Sequence, residues 1–387
     1  VTIRTYPGQE MDNPYSMNTI DICPVGALTS TDFRFKARVW DMSSNKSICI
    51  GCSRGCNIEI WVRNNEILRL TPRYNEKVNS YWMCDHGRLN TFKFVNAENR
   101  IHYPQIRKDG KLVEVGWDEA FSEAVSRLKT LPKDQIAVIG SPFATCEDNF
   151  LTAKFAKSVL STGNLDFIRH TNPDFADDIL RTEDGTPNTN GALLTGIVPS
   201  QAGLDINGIL KGIIEHKIKA LYLIEDDIVQ KYPELESSIA KLDLLIVHSS
   251  NFNSSANYAD IVFPASTFTE KNGTYLNGFG ILQRIRPAVA TSALDRALDG
   301  MNMSRLDKFG TKFDTWAAGK KIEARPTWKI LVSLSKALGY KIKYSMAEEV
   351  FNDIASSIDE FKGLDYDDIG ETGVQIKIEK NKTVNAG

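Results

Sequence analysis

Four cysteines between residues 49 and 84 have the residue type and the spacing of a metal centre. Three lie within eight residues, in the run Cys49-Ile-Gly-Cys52-Ser-Arg-Gly-Cys56, and Cys84 follows after 27 further residues. Each iron of a cubane [4Fe–4S] cluster needs one thiolate, and a tight loop can supply three corners while a distant segment supplies the fourth. The pattern therefore predicts one [4Fe–4S] cluster bound by Cys49, Cys52, Cys56 and Cys84.

Other interpretations of these cysteines stay open. A structural zinc site is one, although zinc ligands usually come as two local pairs rather than as three and one. Unligated thiols are another. A disulfide framework is disfavoured, because such frameworks belong to short secreted chains, and this chain has six cysteines in 387 residues. Arg54 and Arg88 lie nearby in sequence and would raise the potential of an adjacent cluster, although a surface arginine is usually solvated.

Cys23 is a second candidate ligand, because it stands in the run Cys23-Pro24-Val25-Gly26. A cysteine followed by proline is how ferredoxin-type cluster segments end. A buried structural cysteine is the alternative. The remaining cysteine, Cys146, lies more than a hundred residues away and is expected to be a loop or packing residue. Cys23 would thus be the last ligand of a second [4Fe–4S] cluster completed outside this chain. The chain begins at Val1 rather than Met, so an upstream part is expected.

A β-hairpin is predicted between the third and fourth cysteines of the first group. Ile58, Ile60 and Val62 alternate with polar residues, Asn64 and Asn65 form a turn signal, and residues 67–70 return. This hairpin would carry the chain back so that Cys84 closes the site. A further short strand is predicted over residues 111–115.

Beyond residue 117 the apolar spacing alternates between helical and strand periods. This alternation predicts an α/β fold, with a doubly wound parallel sheet and helices on both faces, preceded by the small β-rich cluster domain. Residues 171–203 are interpreted as a loop, and residues 291–324 as charged and irregular. The predicted strands are 135–140, 220–224, 244–247 and 261–264. The predicted helices are 117–128, 151–159, 209–214, 233–242, 326–339 and 346–361, the last followed by a frayed polar tail.

Five regions follow from these elements. They are the end of a ferredoxin-like cluster region (1–40), a [4Fe–4S] domain with the hairpin (41–100), a first α/β unit (101–195), a second α/β unit (196–290) and an irregular and helical C-terminal region (291–387).

Composition and charge do not point to nucleic acid or to a membrane as a partner. Lys and Arg number 46 against 49 Asp and Glu, a net charge of −3, which gives no reason to expect nucleic acid or an anionic membrane surface. No apolar run approaches the length of a membrane span, and no signal peptide is recognisable. Thiols kept for a metal favour a reducing compartment, hence the cytoplasm.

Motifs for other cofactors and for group-transfer chemistry are missing from the sequence. No Gly-x-Gly-x-x-Gly opens a helix after a strand; Gly278 and Gly280 come nearest but lack the third glycine and lie in an expected turn. We therefore expect neither FMN nor NAD in this chain. No phosphate-binding loop and no Ser/His/Asp arrangement is legible, so no catalytic residue is assigned. The one chemistry indicated is electron transfer.

Several of these segments resemble a known family. The run from Ser47 to Asn57 and the run Trp82-Met83-Cys84-Asp85-His86-Gly87-Arg88 resemble the iron–sulfur domain of molybdopterin oxidoreductase-type proteins. Residues 18–30, followed by Phe35-Lys36-Ala37-Arg38, narrow the resemblance to the large iron–sulfur subunit of NADH:quinone oxidoreductase, respiratory complex I. Four later segments agree: 259–264, 270–277, 283–284 and 325–329.

The resemblance implies an electron-transfer subunit on the peripheral arm of complex I, on the cytoplasmic side of the inner membrane. Cys23 would then be the last ligand of a cluster on the main electron path, whose first three ligands belong to a ferredoxin-like part before Val1. The cluster of residues 49–84 would lie off that path and be mainly structural. The implied partners are a flavin-binding, NADH-oxidising subunit and small iron–sulfur subunits that lead towards quinone.

Departures from the catalytic relatives argue against molybdopterin. Enzymes such as formate dehydrogenase place a lysine two residues after the fourth cysteine, where this chain has His86. They also carry a cysteine or selenocysteine metal ligand where residues 167–171 contain none, and the short region after Asp184 leaves little room for two pterins. Two alternatives remain: the cluster-bearing subunit of a soluble NAD-linked formate dehydrogenase or hydrogenase, and a scaffold whose cluster carries no current.

Overall fold

A computed structural model describes residues 5–293 and 321–378 of the chain. Most of the region predicted to be irregular, 294–320, therefore lies outside the described residues. Within them the strands form three sheets, and β-strands and α-helices are mixed as predicted. The strands are β1 Ser43–Ile48, β2 Asn57–Arg63, β3 Glu66–Pro72, β4 Gln105–Lys108, β5 Lys111–Glu114, β6 Ile136–Gly140, β7 Leu165–Phe167, β8 Ala220–Ile224, β9 Leu244–Ser249, β10 Ile261–Pro264, β11 Gly273–Leu276, β12 Ile281–Ile285 and β13 Val374–Gln375.

The α-helices connect and cover these strands. Their bounds are α1 Asn18–Ile22, α2 Asp85–Asn90, α3 Trp117–Leu128, α4 Cys146–Lys154, α5 Thr189–Leu194, α6 Ile206–Ile214, α7 Ile228–Lys231, α8 Glu236–Ile239, α9 Thr327–Ala337, α10 Ala347–Ser357 and α11 Tyr366–Ile369. Among the described residues, no helix is both long enough and apolar enough to cross a bilayer.

The first sheet is antiparallel in the order β1-β2-β3, and it contains the predicted hairpin. Asn64 and Asn65 form the turn between β2 and β3, with φ of 52° and 62°. Two successive residues of positive φ give a turn whose twist matches that of the flanking strands. The local sequence therefore sets the hairpin, and the loop before β2 contains Cys49, Cys52 and Cys56.

The second sheet has seven strands in the order β5-β4-β10-β9-β8-β6-β7. Strands β10, β9, β8, β6 and β7 run parallel, and the hairpin of β4 and β5 adds an antiparallel edge. Apolar clusters fill both faces of this sheet, which is why its central strands are apolar along their whole length. The strands predicted for two α/β units thus share one continuous sheet, and the boundary between those units stays a prediction.

Two predicted helical segments and one predicted loop were partly wrong. The helix expected over 233–242 is a 3₁₀ turn, Pro233–Leu235, followed by the single turn of α8, because the backbone N–H groups of Leu235, Lys241 and Leu242 bond to the carbonyl three residues earlier instead of four. The helix expected around 151–159 changes from α4 to a π-helical turn at Phe155–Leu160. The segment 171–203, expected to be a loop, contains α5.

The end of the described chain corrects another prediction. Instead of fraying after residue 361, it forms α11 and then β13, which pairs with β12 in the third sheet, β11-β12-β13. The Tyr366 hydroxyl donates a hydrogen bond to the buried carboxylate of Glu147 at 2.9 Å. The pairing of β13 with β12 joins residues about ninety positions apart, so the local periodicity of the sequence could not predict it.

Candidate metal centre

The four predicted ligands line one small, partly open pocket. Cys49, Cys52, Cys56 and Cys84 are all buried, with exposed fractions of 5–7%; we call these four residues the cysteine cage. The remaining wall is formed by Gly51, Gly55, Met83, Leu180 and Arg181. In the described part of the chain, no group of His, Cys, Asp and Glu side chains is arranged to hold a single metal ion; the cage thiols instead border a common space.

Three of the cage cysteines lie in the tight connection from β1 to β2. Cys49 donates its backbone N–H to the carbonyl of Cys56 at 2.8 Å, which closes the loop. Gly55 has a φ of 65°, and a Cβ there would lie 2.7 Å from the Gln283 side-chain oxygen. Glycine is therefore needed both for the left-handed turn and for the close approach of β12.

Cys84 reaches the cage from the N-terminus of α2. Its sulfur accepts a hydrogen bond from the Gly87 N–H at 3.3 Å, and the Cys49 sulfur accepts one from the Gly51 N–H at 3.4 Å. A Cβ on Gly87 would lie 2.9 Å from the Cys49 sulfur and 3.4 Å from the Cys84 sulfur. The cage thus combines a glycine-lined cradle with N–H donors aimed at sulfur, features that suit a thiolate-bound iron–sulfur cluster.

Burial has a large effect on the cage thiols. It raises the pKa of Cys49, Cys56 and Cys84, and nearby cage cysteines raise these pKa values further. The positive charge of Arg181 acts in the opposite direction on the pKa of Cys84. Cysteine binds a metal as the thiolate, so the binding of a metal centre in the cage has to release the protons of these thiols.

Cys23 does not belong to the cage. It directly follows α1 and is partly exposed. The backbone N–H of Leu28, together with those of residues 25–27, lowers the pKa of Cys23. This ring of donors favours a thiolate, as a cluster ligand requires.

Cys146 packs in the α/β core, as expected. It is the first residue of α4, it is fully buried, and its sulfur lies 3.5 Å from the Asn188 side-chain oxygen.

The segment that carries Cys23 is fastened to the segment that carries Cys84. Buried Asn18 donates to the carbonyl of Met83 at 2.8 Å and accepts from the Met83 N–H at 3.1 Å. Asp85 accepts hydrogen bonds from Ser16 and Met17, and Arg88 forms an ion pair with Asp21. Arg88 therefore anchors α1, and it does not line the space inside the cage.

A segment of the α/β body closes the cage on another side. We call residues 177–184 the strap. The backbone N–H of Ser53 donates to the Asp184 carbonyl at 2.8 Å, and the Ser53 and Thr182 hydroxyls lie 2.9 Å apart. Leu180 and Arg181 of the strap line the cage. Neither residue could be predicted from the sequence, because no local pattern connects them with cysteines that lie about a hundred residues away.

His86 lies two residues after Cys84, and His170 lies in the segment 167–171, which contains no cysteine. The His86 ring packs edge-on against Phe175, 5.1 Å between centroids, and burial lowers its pKa. His170 Nε2 lies 3.0 Å from a carboxylate oxygen of Asp226, within hydrogen-bond distance. Phe175 therefore covers one side of the His86 ring, and Asp226 holds the His170 ring at Nε2.

Family models match most of the described chain. A model described as molybdopterin oxidoreductase matches residues 100–196 and 186–297, and one for the molybdopterin oxidoreductase Fe4S4 domain matches residues 42–96. A third, the ferredoxin-like domain of NADH-quinone oxidoreductase subunit 3, matches residues 1–29. The Fe4S4 match includes all four cage cysteines, and it supports a [4Fe–4S] cluster in this chain.

Curated relatives are named as subunits of one enzyme. An NADH-quinone oxidoreductase subunit of Rickettsia prowazekii (strain Madrid E) is 40% identical over 151 residues, which are 38% of this chain and 22% of that protein. Subunit 3 of NADH-quinone oxidoreductase from Thermus thermophilus is 39% identical over 153 residues, 40% of this chain and 19% of that protein. The matched part thus spans about a fifth of each relative.

A solved structure shows the same fold. Acetylene hydratase from Pelobacter acetylenicus superposes with a TM-score of 0.53, covering 86% of this chain and 74% of that one. The sequence identity is 9%, so this likeness concerns the fold alone.

Proposed function

We propose a function from one premise: the chain belongs to the molybdopterin oxidoreductase family, whose model matches just over half of it. Within that family we propose that it is an electron-transfer iron–sulfur subunit of an NADH–quinone oxidoreductase, complex I. The relatives that bear this enzyme's name support the proposal. The observation that carries it is the cage, in which four buried cysteines and two N–H donors to sulfur surround one space.

We propose that Cys49, Cys52, Cys56 and Cys84 each bind one iron of a [4Fe–4S] cluster. When bound, such a cluster accepts and releases one electron at a time. The chain's own residues hold it by four thiolates, and Gly51 and Gly87 donate hydrogen bonds to the sulfurs. Met83 and Leu180 add apolar wall that keeps water from the cage. No side chain needs to perform proton or group transfer.

We further propose that Cys23 is the last ligand of a second [4Fe–4S] cluster whose other cysteines lie outside this chain. Support comes from the N–H donors of residues 25–28 and from the match of residues 1–29 to a ferredoxin-like domain. The electrons would come from a flavin-binding, NADH-oxidising subunit and leave through small iron–sulfur subunits towards quinone. The subunit would then belong to the peripheral arm on the cytoplasmic side of the inner membrane.

The proposed cofactor set does not include molybdopterin, FMN or NAD. In open parallel sheets, ligands bind at the carboxyl ends of the strands. Here that crevice is lined by three consecutive carboxylates, Glu225, Asp226 and Asp227, which follow β8. Lys271 pairs with Glu225 and His170 contacts Asp226, but the three carboxylates outnumber the lysine, and the excess negative charge disfavours the anionic phosphates of a pterin dinucleotide. The α/β part would therefore serve as a scaffold for the cage and for neighbouring subunits.

One substitution tests whether the cage cluster lies on the electron path. Cys52→Ala removes a ligand, and Cys146→Ala is a matched control that removes a buried cysteine outside the cage. We expect assembled enzyme with Cys52→Ala to lose the signal of one cluster and to keep most of its NADH–quinone turnover, because the proposed path runs through the Cys23 cluster. Loss of turnover in fully assembled enzyme would instead show that the cage cluster carries electrons to quinone. An unchanged cluster signal would contradict the proposed ligand set.

A further inference from the structure

One cationic side chain reaches the cage from a distant part of the sequence. Arg181 of the strap lines the space between the four thiols, and it is the charged residue of that lining as far as the described chain shows. Its side chain is 22% exposed, so water screens the guanidinium only in part.

Arg181 is held in this place by a fixed set of contacts. Its Nε donates to the Asp177 carboxylate at 2.7 Å, and the same carboxylate accepts three backbone N–H bonds from residues 179–181 at 2.9–3.0 Å. The Tyr15 hydroxyl donates to Asp177 at 2.6 Å, and the guanidinium lies 4.9 Å from the centre of the Phe175 ring. Asp177 does not line the cage, so the positive end of this ion pair is the end that borders the cysteines.

The two arginines singled out from the sequence are placed differently. Arg54 donates from Nε to the Val78 carbonyl at 2.6 Å and lies over the Phe279 ring. Arg88 is paired with Asp21. Neither lines the space between the thiols. Arg54 is close enough for its charge to act on Cys56, but of the three arginines it is Arg181 that lines the space between the thiols.

We propose that Arg181 is a positioning residue that raises the reduction potential of the cage cluster, and that Asp177 and Tyr15 hold its guanidinium in place. A cluster bound by four thiolates is negatively charged, and reduction adds one further negative charge. A nearby fixed cation stabilises the reduced form more than the oxidised form, and a poorly solvated site strengthens this effect. This inference rests on the proposed [4Fe–4S] cluster and adds the group that sets its potential.

The test is a potentiometric titration followed by EPR on the full chain carrying its cluster. Arg181→Gln removes the charge and keeps a polar side chain, whereas Arg181→Lys keeps the charge. Arg127→Gln is a matched control, because Arg127 of α3 forms a similar, partly buried ion pair with Asp260, away from the cage. At a fixed potential we expect Arg181→Gln to lower the ratio of reduced to oxidised cluster about tenfold, a shift of about 59 mV for one electron. We expect Arg181→Lys to recover most of this shift and Arg127→Gln to show none.

Different results of this titration would overturn the role of Arg181 and the proposed function. An unchanged midpoint potential in Arg181→Gln, with iron and sulfide content intact, would overturn this inference and leave the cluster assignment standing. If Arg181→Gln fails to retain a cluster, Arg181→Lys decides: a cluster of near wild-type potential supports a role for charge, and loss of the cluster in both variants overturns it. A wild-type chain without iron would instead defeat the proposed function itself.

Discussion

At the scale of single residues, the cage leaves no room for a methyl group at Gly87. A Cβ there would lie 2.9 Å from the Cys49 sulfur and 3.3 Å from the Met83 methyl carbon. We expect Gly87→Ala to lower iron and acid-labile sulfide per chain several-fold, because the new methyl group would displace a ligand thiol. Gly116→Ala is the control, since no heavy atom lies within 4 Å of its Cβ position. Wild-type iron content in Gly87→Ala would show that the cage is looser than described.

A second residue-scale prediction concerns pH. Burial raises the pKa of Glu147 to about 7, and the carboxylate accepts hydrogen bonds from Thr274 and Tyr366. A carboxyl whose pKa is higher in the folded chain contributes most to stability below its unfolded pKa of about 4.3, and that contribution falls as pH rises to about 7. Between about pH 5 and pH 8 we expect the free energy of unfolding of the wild type to fall by about 2 kcal/mol relative to Glu147→Gln.

Urea unfolding of both proteins at the two pH values measures this difference. Glu98→Gln, which changes an exposed carboxylate, should leave the pH dependence of stability as in the wild type. A gap between wild type and Glu147→Gln that stays constant with pH would contradict the role given to Glu147.

At the scale of elements, the β2–β3 turn allows the effect of backbone conformation on stability to be measured apart from the effect of side-chain hydrogen bonds. Asn64 and Asn65 both have positive φ, which glycine adopts freely. Asn65 also exchanges two hydrogen bonds with the Ala290 backbone, at 2.7 and 2.9 Å. We expect Asn65→Gly to lower the free energy of unfolding by about 2 kcal/mol, at about 1 kcal/mol per hydrogen bond. Asn64→Gly should change it by less than about 0.5 kcal/mol. Equal effects in chemical unfolding would mean that the bonds to Ala290 contribute nothing.

The attachment of α1 to the cage gives another element-scale prediction. Asn18 is 3% exposed and bonds both backbone groups of Met83. In Asn18→Ala these groups lose their partners, so we expect limited proteolysis of the segment before the cage to become several-fold faster. Thr19→Ala alters the adjacent exposed residue and should be cleaved at the wild-type rate. If both variants are cleaved alike, the Asn18 bonds do not fasten this segment.

At the scale of the whole molecule, local signals explain what the sequence could predict. The hairpin of residues 57–72 and the parallel strands β6, β8, β9 and β10 follow from periodicity and from turn residues, and all of them form, whereas the short strand β7 was not predicted. The spacing of the cysteines was enough to predict that Cys49, Cys52, Cys56 and Cys84 lie together as one group. What the sequence could not reveal depends on distant contacts: the pairing of β13 with β12, the joining of both α/β units in one sheet, and the arrival of Arg181 at the cage. Each joins segments that share no pattern, so only the folded chain brings them together.

The central claim is that the cage holds one [4Fe–4S] cluster. The most direct test is an iron and acid-labile sulfide determination, combined with EPR after reduction, on the full chain purified without oxygen. We expect about four irons and about four sulfides per chain and a signal of a reduced [4Fe–4S] cluster, all lost in Cys52→Ala and kept in Cys146→Ala. Zinc in place of iron, or iron content that Cys52→Ala leaves unchanged, would contradict it.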